Sequence, residues 1–348
     1  MDSINKTVVD ATASYAFAKV MPTIGLFERQ EARKPNRYPW TQDFIDAIWA
    51  GFWTPNEFNF KGDLAQFKVN MTEEEKLVIV RTLSAIGQIE IAVKRFWSQL
   101  GDNFPHPSMS DLGFVMANTE VIHNQAYEKL LDVLDLGSIF EDNLKEPVVA
   151  GRVKYLRKYL DRKFTDDRQQ YIYSIILFTL FVENISLFSQ FYVVLWFNRF
   201  HNVLKDTSQQ VEYTRNEEAL HAQVGIKIIN TLKDEYPYLF NEDLKTRVMS
   251  EIKDSLTAED KVIDWIIGDF NEPGLNKDIL KQYIRVRMNE SLEAIGMDYY
   301  KFDIHPDTEE QIHWMKEEML GSNLTDFFHK RPVDYAKKNR SYTEEELF

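Results

Sequence analysis

The chain has 348 residues, of which 44% are hydrophobic and 28% charged, values that are ordinary for a globular protein with a large core. The formal net charge of -14 argues against a nucleic-acid partner. The absence of cysteine excludes disulfides, zinc–thiolate sites and iron–sulfur clusters. It also fits a reducing compartment, and the first residues lack the pattern of a signal peptide, so we expect a cytoplasmic protein.

Helical patterns follow one another along the chain without strand alternation, so the sequence predicts an all-α fold. One helix opens at Thr72 with a capping box and acidic residues in its first turn. An apolar helix opens at 166–167. The helix at Thr72 covers residues 72–100. The other predicted helices cover residues 41–53, 110–134, 147–160, 208–233, 242–255, 258–270, 276–295 and 307–320. We expect one domain, residues 1–325, followed by a flexible polar tail, residues 326–348.

The apolar stretch at 171–197 is long enough to cross a bilayer. However, Glu183, Asn184 and Gln190 interrupt it, and no second such stretch accompanies it. A helix that is apolar on all sides can also be the central helix of a large soluble bundle. We therefore predict a buried core helix and no membrane partner.

The sequence Glu-x-x-His occurs twice in apolar surroundings, and a lone Glu precedes each copy in its own apolar segment. Residues three apart share a helix face, so each copy can aim one carboxylate and one imidazole at the same point. Four carboxylates and two imidazoles form the ligand set of a dinuclear metal centre inside a four-helix bundle. The predicted ligands are Glu90, Glu120, His123, Glu183, Glu218 and His221.

A third copy, from Glu310 to His313, lies in a charged amphipathic stretch, which we interpret as a solvated helix face. The motif by itself is therefore weak evidence for a metal site. Burial sets the first two copies apart, because an ionised carboxylate without a partner costs several kcal/mol in a protein core. The alternative for these residues is a set of core polar groups bonded to one another.

Glutamate and histidine ligands without cysteine favour iron or manganese over a structural zinc. Two such ions about 3.5–4 Å apart can share carboxylates and bind oxygen between them. We expect a pair of iron ions (Fe/Fe), with a Mn/Mn or Mn/Fe centre as alternatives. Centres of this kind store iron, oxygenate or desaturate a substrate, or oxidise a side chain.

Tyr127 lies four residues after His123, on the helix face of the first Glu-x-x-His copy. Its phenol should therefore point toward the same pocket, although an ordinary core tyrosine is the alternative. At this point the chain, over about residues 40–348, resembles the small, radical-generating subunit of class I ribonucleotide reductase. The segments TEVIHNQAY and RNEEALH carry most of this resemblance, together with Glu90.

The resemblance implies a ferritin-like four-helix-bundle core with additional helices. It also implies that the two metals react with an oxygen species and then oxidise Tyr127 or hold the oxidising equivalent themselves. The large (alpha) subunit would use the radical to reduce ribonucleotides to deoxyribonucleotides. The other partners implied are a second copy of the chain in a homodimer and, with manganese, a flavoprotein activase.

The resemblance further implies a route by which the radical leaves the protein. Trp53, in GFWTPNE, matches the tryptophan that passes the radical out of the core. Glu217 stands where an Asp normally bonds that tryptophan and a ligand histidine. A tail tyrosine completes the route, with Tyr335 as first choice and Tyr342 as second. The final TEEELF resembles the peptide that docks into the large subunit.

Several positions depart from the family pattern. Glu90 stands where many relatives carry Asp, and Glu217 has a longer arm than the usual Asp. The spacing of 30 residues from Glu90 to Glu120 differs by about one residue from the family's spacing, as does that of 35 residues from Glu183 to Glu218. A single-residue insertion in a loop or helix would absorb each difference.

Three rival functions share part of this pattern. A ligand-binding di-metal oxidase of the same fold would lack the route through Trp53 and Glu217 and the docking tail. A fatty-acyl desaturase would need neither Tyr127 nor the tail. A ferritin-like iron store would be a much shorter chain that assembles into cages. We favour the reductase subunit because the chain carries all of these features.

Overall fold

The computed structural model describes residues 24–298 and 300–321, without the side chains of residues 90–93, 320 and 321. Within these residues every regular element is a helix, apart from one isolated bridge between Glu272 and Leu275. The prediction of an all-α fold is therefore confirmed. The predicted boundary at residue 325 lies outside the described residues, as do Tyr335 and Tyr342.

The helices begin and end close to the predicted positions, with several short additions. In chain order they are α1 (Trp40–Ala50), α2 (Lys61–Val69), α3 (Glu73–Ser98), α4 (Leu100–Asn103), α5 (Pro107–Val133), α6 (Gly137–Asn143), α7 (Pro147–Leu156), α8 (Asp167–Leu177), a π-helical segment (Phe178–Ser186), α9 (Phe188–His201), α10 (Lys205–Glu235), α11 (Glu242–Ile267), α12 (Lys277–Ala294) and α13 (Thr308–Gly321). The predicted pair at 242–255 and 258–270 is wrong, because α11 is continuous through that region.

The continuity of α11 has a local explanation. Ser255 and Thr257 lie where the two predicted helices were divided, and hydroxyl side chains can compete with the helical hydrogen bonds. In the structure the Ser255 hydroxyl donates to the Ile252 carbonyl (3.3 Å), and the Thr257 hydroxyl donates to the Lys253 carbonyl (2.9 Å). Both hydroxyls are thus bonded within the helix. No glycine or proline interrupts residues 242–267, so the helix continues.

Four helical stretches pack around the centre of the molecule, and they are the ones that carry the predicted ligands. Among the described elements, the long helices α3 and α5 contact each other most extensively. The π-helical segment and α9 both pack against α10, and α10 also contacts α5. The ferritin-like arrangement expected of such a bundle therefore brings the polar faces of these helices toward one interior region.

Caps fix where these helices start. Thr72 and Glu75 form the predicted capping box at the start of α3, in which the Thr72 hydroxyl accepts from the Glu75 amide (3.2 Å). The start of α10 is held from outside, because the buried carboxylate of Asp63 on α2 accepts from the amides of Asp206 (3.2 Å) and Thr207 (2.6 Å). This contact satisfies two amide groups of the first turn and fixes the register of α10.

The π-helical segment lies inside the long apolar helix and carries Glu183. A π-helical turn holds more residues than an α-helical turn, so it absorbs an inserted residue without breaking the helix. Its carbonyl groups are bonded by two buried arginines. Arg287 Nε donates to the Asn184 carbonyl (2.8 Å), and Arg152 donates to the Ser186 carbonyl. A single-residue insertion in this segment is one way to absorb the spacing of 35 residues between Glu183 and Glu218.

Close packing accompanies the π-helical segment on the side of α10. At Gly225 on α10, a Cβ atom would lie 2.1 Å from Thr179 Oγ1, so a larger residue would push the two elements apart. The whole stretch from Asp167 to His201 is long and apolar enough to cross a membrane, but 94% of its most apolar window is buried inside the protein. It is thus the core helix that the sequence predicts.

Candidate metal centre

Both Glu-x-x-His copies and Glu183 meet in one buried cluster. Glu120, Glu183, Glu218 and His221 offer ligand atoms that all lie within 4.8 Å of one another, and none of the four residues is more than 1% exposed. His123 joins them, since its Nδ1 lies 3.4 Å from Glu120 Oε2 and 3.1 Å from Glu218 Oε1. Five of the six predicted ligands are therefore brought together.

Glu90, the sixth predicted ligand, lies on α3, which packs directly against α5. Its side chain is outside the described residues. Its place in the cluster therefore stays a prediction.

Two carboxylates divide their oxygens between the two imidazoles. For Glu120, Oε2 lies nearer His123 Nδ1 (3.4 Å) and Oε1 nearer His221 Nδ1 (3.0 Å). For Glu218, Oε1 lies 3.1 Å from His123 Nδ1 and Oε2 lies 3.6 Å from His221 Nδ1. The arrangement could hold a pair of metal ions at two coordination points, each with its own imidazole, that share two carboxylates. Glu183 Oε2 lies 3.5 Å from His221 Nδ1 and so belongs to the second point.

The hydrogen bonds of Thr119 assign the tautomer of His221. The Thr119 hydroxyl donates its single hydrogen to the Met116 carbonyl (2.7 Å), and the same oxygen lies 3.0 Å from His221 Nε2. Since that hydrogen is already used, the hydroxyl must accept from a hydrogen on Nε2. In the neutral imidazole Nδ1 then carries its lone pair toward the carboxylates, which is the orientation that a metal ligand requires.

Glu217 plays the matching part for His123 and links it to Trp53. One oxygen, Oε2, accepts both from Trp53 Nε1 (2.8 Å) and from His123 Nε2 (2.7 Å). The indole also stacks on the imidazole, with ring centroids 6.1 Å apart and planes at 24°. The longer arm of Glu217, compared with the Asp expected here, thus still reaches both partners. Trp53 is completely buried.

Burial and close contact shift the pKa values of the charged groups in the cluster. Burial and the Glu218 carboxylate raise the pKa of Glu183 well above its usual value. Burial alone would raise the pKa of Glu218 as well, but contacts with Glu183 and with both histidines hold it well below its usual value. Burial would lower the pKa of His221, whereas the contacting carboxylates raise it well above its usual value. Positive charge beside the carboxylates, from a proton or a metal ion, therefore stabilises the cluster.

The buried acceptors also fit a metal pair. Several of them receive no hydrogen bond from any residue that the structure describes, although buried polar atoms are nearly always paired. These atoms are Oε1 and Oε2 of Glu120, Oε1 and Oε2 of Glu218, Oε2 of Glu183 and Nδ1 of His221. They converge on the two coordination points. Carboxylate oxygens and imidazole nitrogens are ligands that suit iron and manganese.

Trp97 is a site residue that the sequence reasoning missed. Its buried indole donates from Nε1 to Glu183 Oε1 (2.7 Å), which leaves Glu183 Oε2 directed toward the cluster. The ring also packs edge-on against Phe178 at the start of the π-helical segment (5.4 Å, 87°). The signal in the sequence was its position seven residues, or two helical turns, after Glu90 on the same face of α3.

The remaining predicted residues fall at distinct places. Tyr127 is 2% exposed and lies on α5, one turn after His123.

The third motif copy lies on the surface of α13, where the His313 side chain is 68% exposed and contacts Glu317 (3.3 Å). Its interpretation as a solvated helix face is therefore confirmed.

Residues 32–306 match the family model for the small chain of ribonucleotide reductase. The chain belongs to this family. A ribonucleoside-diphosphate reductase subunit beta from Halalkalibacterium halodurans is 24% identical over 350 residues, which cover 97% of each protein. The ribonucleotide reductase R2 subunit from Clostridium botulinum has the same fold, with a TM-score of 0.73, 20% identity and coverage of 84% of this chain and 92% of that one.

The fold is also shared with an oxidase. A mutant of the R2-like ligand-binding oxidase, solved with a Mn/Fe cofactor, aligns with a TM-score of 0.65 and 16% identity, over 77% of this chain and 96% of that one. At this identity the likeness concerns the fold alone. The ribonucleotide reductase small-chain fold thus accommodates more than one activity, and the residues around the centre must distinguish them.

Replacing Thr119 with valine tests the assigned tautomer of His221. We expect Thr119→Val to weaken metal binding by about 10–100-fold, because partners of this kind orient the ligand histidine. Thr82→Val is the matched control, since Thr82 is also buried and its hydroxyl also donates to a helical carbonyl, that of Val78 (2.7 Å). Titration of the metal-free proteins with Fe(II) measures both affinities. Equal affinities for the two variants would contradict the assignment.

Proposed function

We propose that this chain is the radical-generating small subunit of a class I ribonucleoside-diphosphate reductase. The observation that carries the proposal is the hydrogen-bonded chain from His123 through Glu217 to Trp53. An iron store or a desaturase has no need to connect a buried indole to a metal ligand. The proposed metal ligands are Glu90, Glu120, His123, Glu183, Glu218 and His221.

The residues around the cluster have distinct proposed roles. When bound, the metal pair supplies the one-electron oxidation of Tyr127. Trp53 then carries the oxidising equivalent outward, and its burial protects it from water and from reductants. An indole that loses an electron becomes acidic at its N–H. Glu217 Oε2 lies 2.8 Å from Trp53 Nε1 and can hold that proton until the electron returns.

The partners and metals complete the proposal. The tail, residues 326–348, docks to the large subunit, and Tyr335 or Tyr342 carries the radical across. The subunit works in the cytoplasm as a homodimer. The exposed apolar side chains of Trp49 on α1, of Phe52 just after α1 and of Phe114 on α5 support the dimer. Iron is the proposed metal, with a Mn/Mn or Mn/Fe centre as alternatives, and a flavoprotein activase is a further partner for manganese.

The proposal is tested by turnover with the cognate large subunit. The full chain, loaded with iron in air, should allow the large subunit to convert a ribonucleoside diphosphate to its deoxy form. The chain that ends at residue 325 should retain its metal content but support little turnover, and a synthetic peptide of residues 326–348 should inhibit the full chain. Absence of turnover with fully loaded chain, together with a co-purified long-chain ligand, would instead indicate the oxidase.

Tyr127→Phe tests the proposed radical residue. We expect this variant to bind metal normally and to lose the tyrosyl signal in electron paramagnetic resonance, because the replaced phenol is the oxidised group. Tyr173→Phe is the matched control, since Tyr173 is equally buried but lies on α8 and packs against Phe164. A tyrosyl signal that survives in Tyr127→Phe, or that disappears in Tyr173→Phe, would overturn the assignment.

A further inference from the structure

The backbone just after Trp53 is held by a lysine on α5. Residues Pro55–Glu57 form a single turn of 3₁₀-helix. Lys129 Nζ donates to the carbonyl of Pro55 (2.7 Å) and to the carbonyl of Phe58 (2.8 Å). An ammonium group has three donors, so this one side chain bonds the start of the turn and the residue after it at once. The turn is therefore fixed to α5 at two points.

The segment that Lys129 holds lies directly against the Trp53 indole. Trp53 stands two residues before the turn, and the Phe58 ring just after the turn packs edge-on against the indole (5.7 Å between centroids, 72°). His123, which is also on α5, stacks on the same indole. One helix therefore contacts Trp53 through His123 and, through Lys129, fixes the backbone that carries Trp53.

Lys129 bonds carbonyl groups although the chain is strongly acidic, with a net charge of -14. Its side chain is partly buried, and within the described part of the chain it forms no ion pair with a carboxylate. It differs in this from a surface lysine such as Lys145, which pairs with Asp142 (2.8 Å). The contacts of Lys129 thus link α5 to the backbone of the turn, and they do not neutralise a neighbouring charge.

Another contact keeps the end of this segment in place independently of Lys129. The Phe60 amide donates to Asp206 Oδ2 in the first turn of α10 (2.9 Å), and Phe60 is completely buried. Removal of the Lys129 donors should therefore loosen the turn and leave the helical bundle intact. Trp53 would then move relative to Glu217, whose Oε2 lies 2.8 Å from the indole nitrogen.

We propose that Lys129 is a positioning residue for the radical route. By holding the turn after Trp53, it keeps the indole at the distance from Glu217 and His123 that passage of the radical requires. A misplacement of about 1 Å can lower a rate by about 100-fold, so a hold on the backbone at this point has a large effect. This inference rests on the proposed function, because it gives Lys129 a part in the transfer of the radical through Trp53.

Lys129→Met tests the proposal, because methionine keeps an unbranched apolar stem but has no donor. The iron-loaded full chain should keep its metal content and the tyrosyl signal of Tyr127 in electron paramagnetic resonance. Its maximal turnover with the large subunit should fall about tenfold, while the KM for the ribonucleotide stays the same. Lys129→Arg restores donors at this position and should recover most of the rate, which a role in packing alone would not explain.

Lys233→Met is the matched control. Lys233 on α10 is also partly buried and also donates to two carbonyls, those of Ile295 (3.3 Å) and Gly296 (3.4 Å) just after α12. This variant should retain turnover. Hydrogen exchange of the metal-free full chain gives a second readout. The amides of residues 54 and 56–58 should exchange about tenfold faster in Lys129→Met, because two hydrogen bonds from a charged donor are lost, and at the unmodified rate in Lys233→Met.

The outcomes separate this inference from the proposed function. Normal turnover in Lys129→Met, or an equal loss in Lys233→Met, overturns the role of Lys129 even if the unmodified chain is fully active. Loss of metal from Lys129→Met, or a Lys129→Arg variant as slow as Lys129→Met, also overturns it. An unmodified chain that supports no turnover would refute the proposed function, whereas unchanged hydrogen exchange in Lys129→Met would refute the hold on the turn by itself.

Discussion

Glu218→Ala should abolish loading of both metal ions. Glu218 directs one oxygen toward each histidine, His123 and His221, so its loss removes a ligand from both coordination points at once. Loss of a residue that only orients a ligand, such as Thr119, lowers metal affinity by about 10–100-fold. Loss of the ligand Glu218 should lower it further. Metal content after reconstitution with Fe(II), measured by elemental analysis, gives the result directly.

The third motif copy provides the matched control for this change. Glu310→Ala alters the same residue type in the same Glu-x-x-His sequence, but on the exposed surface of α13. It should bind as much metal as the unmodified chain. Circular dichroism should show that both variants keep their helical content. Full metal loading of Glu218→Ala would mean that the shared carboxylate is not a ligand, and the proposed centre would be wrong.

Trp53→Phe should abolish turnover with the large subunit while sparing the steps that precede it. The phenyl ring fills much of the same space, but it has no N–H to donate to Glu217 and is not oxidised at accessible potentials. Metal content and the tyrosyl signal of Tyr127 should both persist, since neither depends on the indole. The rate of deoxynucleotide formation and the radical yield should be measured on one preparation.

A second buried tryptophan separates loss of the route from loss of packing. Trp196 on α9 is 2% exposed, and Trp196→Phe makes the same change in volume outside the Trp53–Glu217–His123 chain. It should retain turnover. If Trp53→Phe also retains turnover, or loses its metal, then Trp53 is not the exit from the core and the proposed route must be abandoned.

The sequence predicted the parts of the site that depend on helical periodicity. The three-residue spacing within each Glu-x-x-His copy puts both groups on one face in any α-helix, so Glu120 and His123 could be placed without knowing the packing. The burial of Glu183 followed from its apolar surroundings, because such a helix must be enclosed by others. The exposure of the third copy followed from its charged neighbours.

Other features depend on how the helices pack, and no local pattern reveals packing. The hydrogen bond from Trp97 to Glu183 joins α3 to the π-helical segment. The contact between Thr119 and His221 joins α5 to α10. The π-helical conformation around Glu183 is stabilised by arginines distant in sequence, among them Arg287. The continuity of α11 was missed because the sequence does not show that the Ser255 and Thr257 hydroxyls bond to carbonyls of the preceding turn.

The most direct test of the central claim is anomalous diffraction from crystals of the metal-loaded chain, recorded at the iron and manganese edges. The account predicts two peaks about 3.5–4 Å apart in the core of the bundle. One peak should lie at coordination distance from His123 Nδ1 and the other at coordination distance from His221 Nδ1, with Glu120 and Glu218 reaching both. A single peak, or peaks elsewhere in crystals of fully loaded protein, would contradict the dinuclear centre and the function proposed from it.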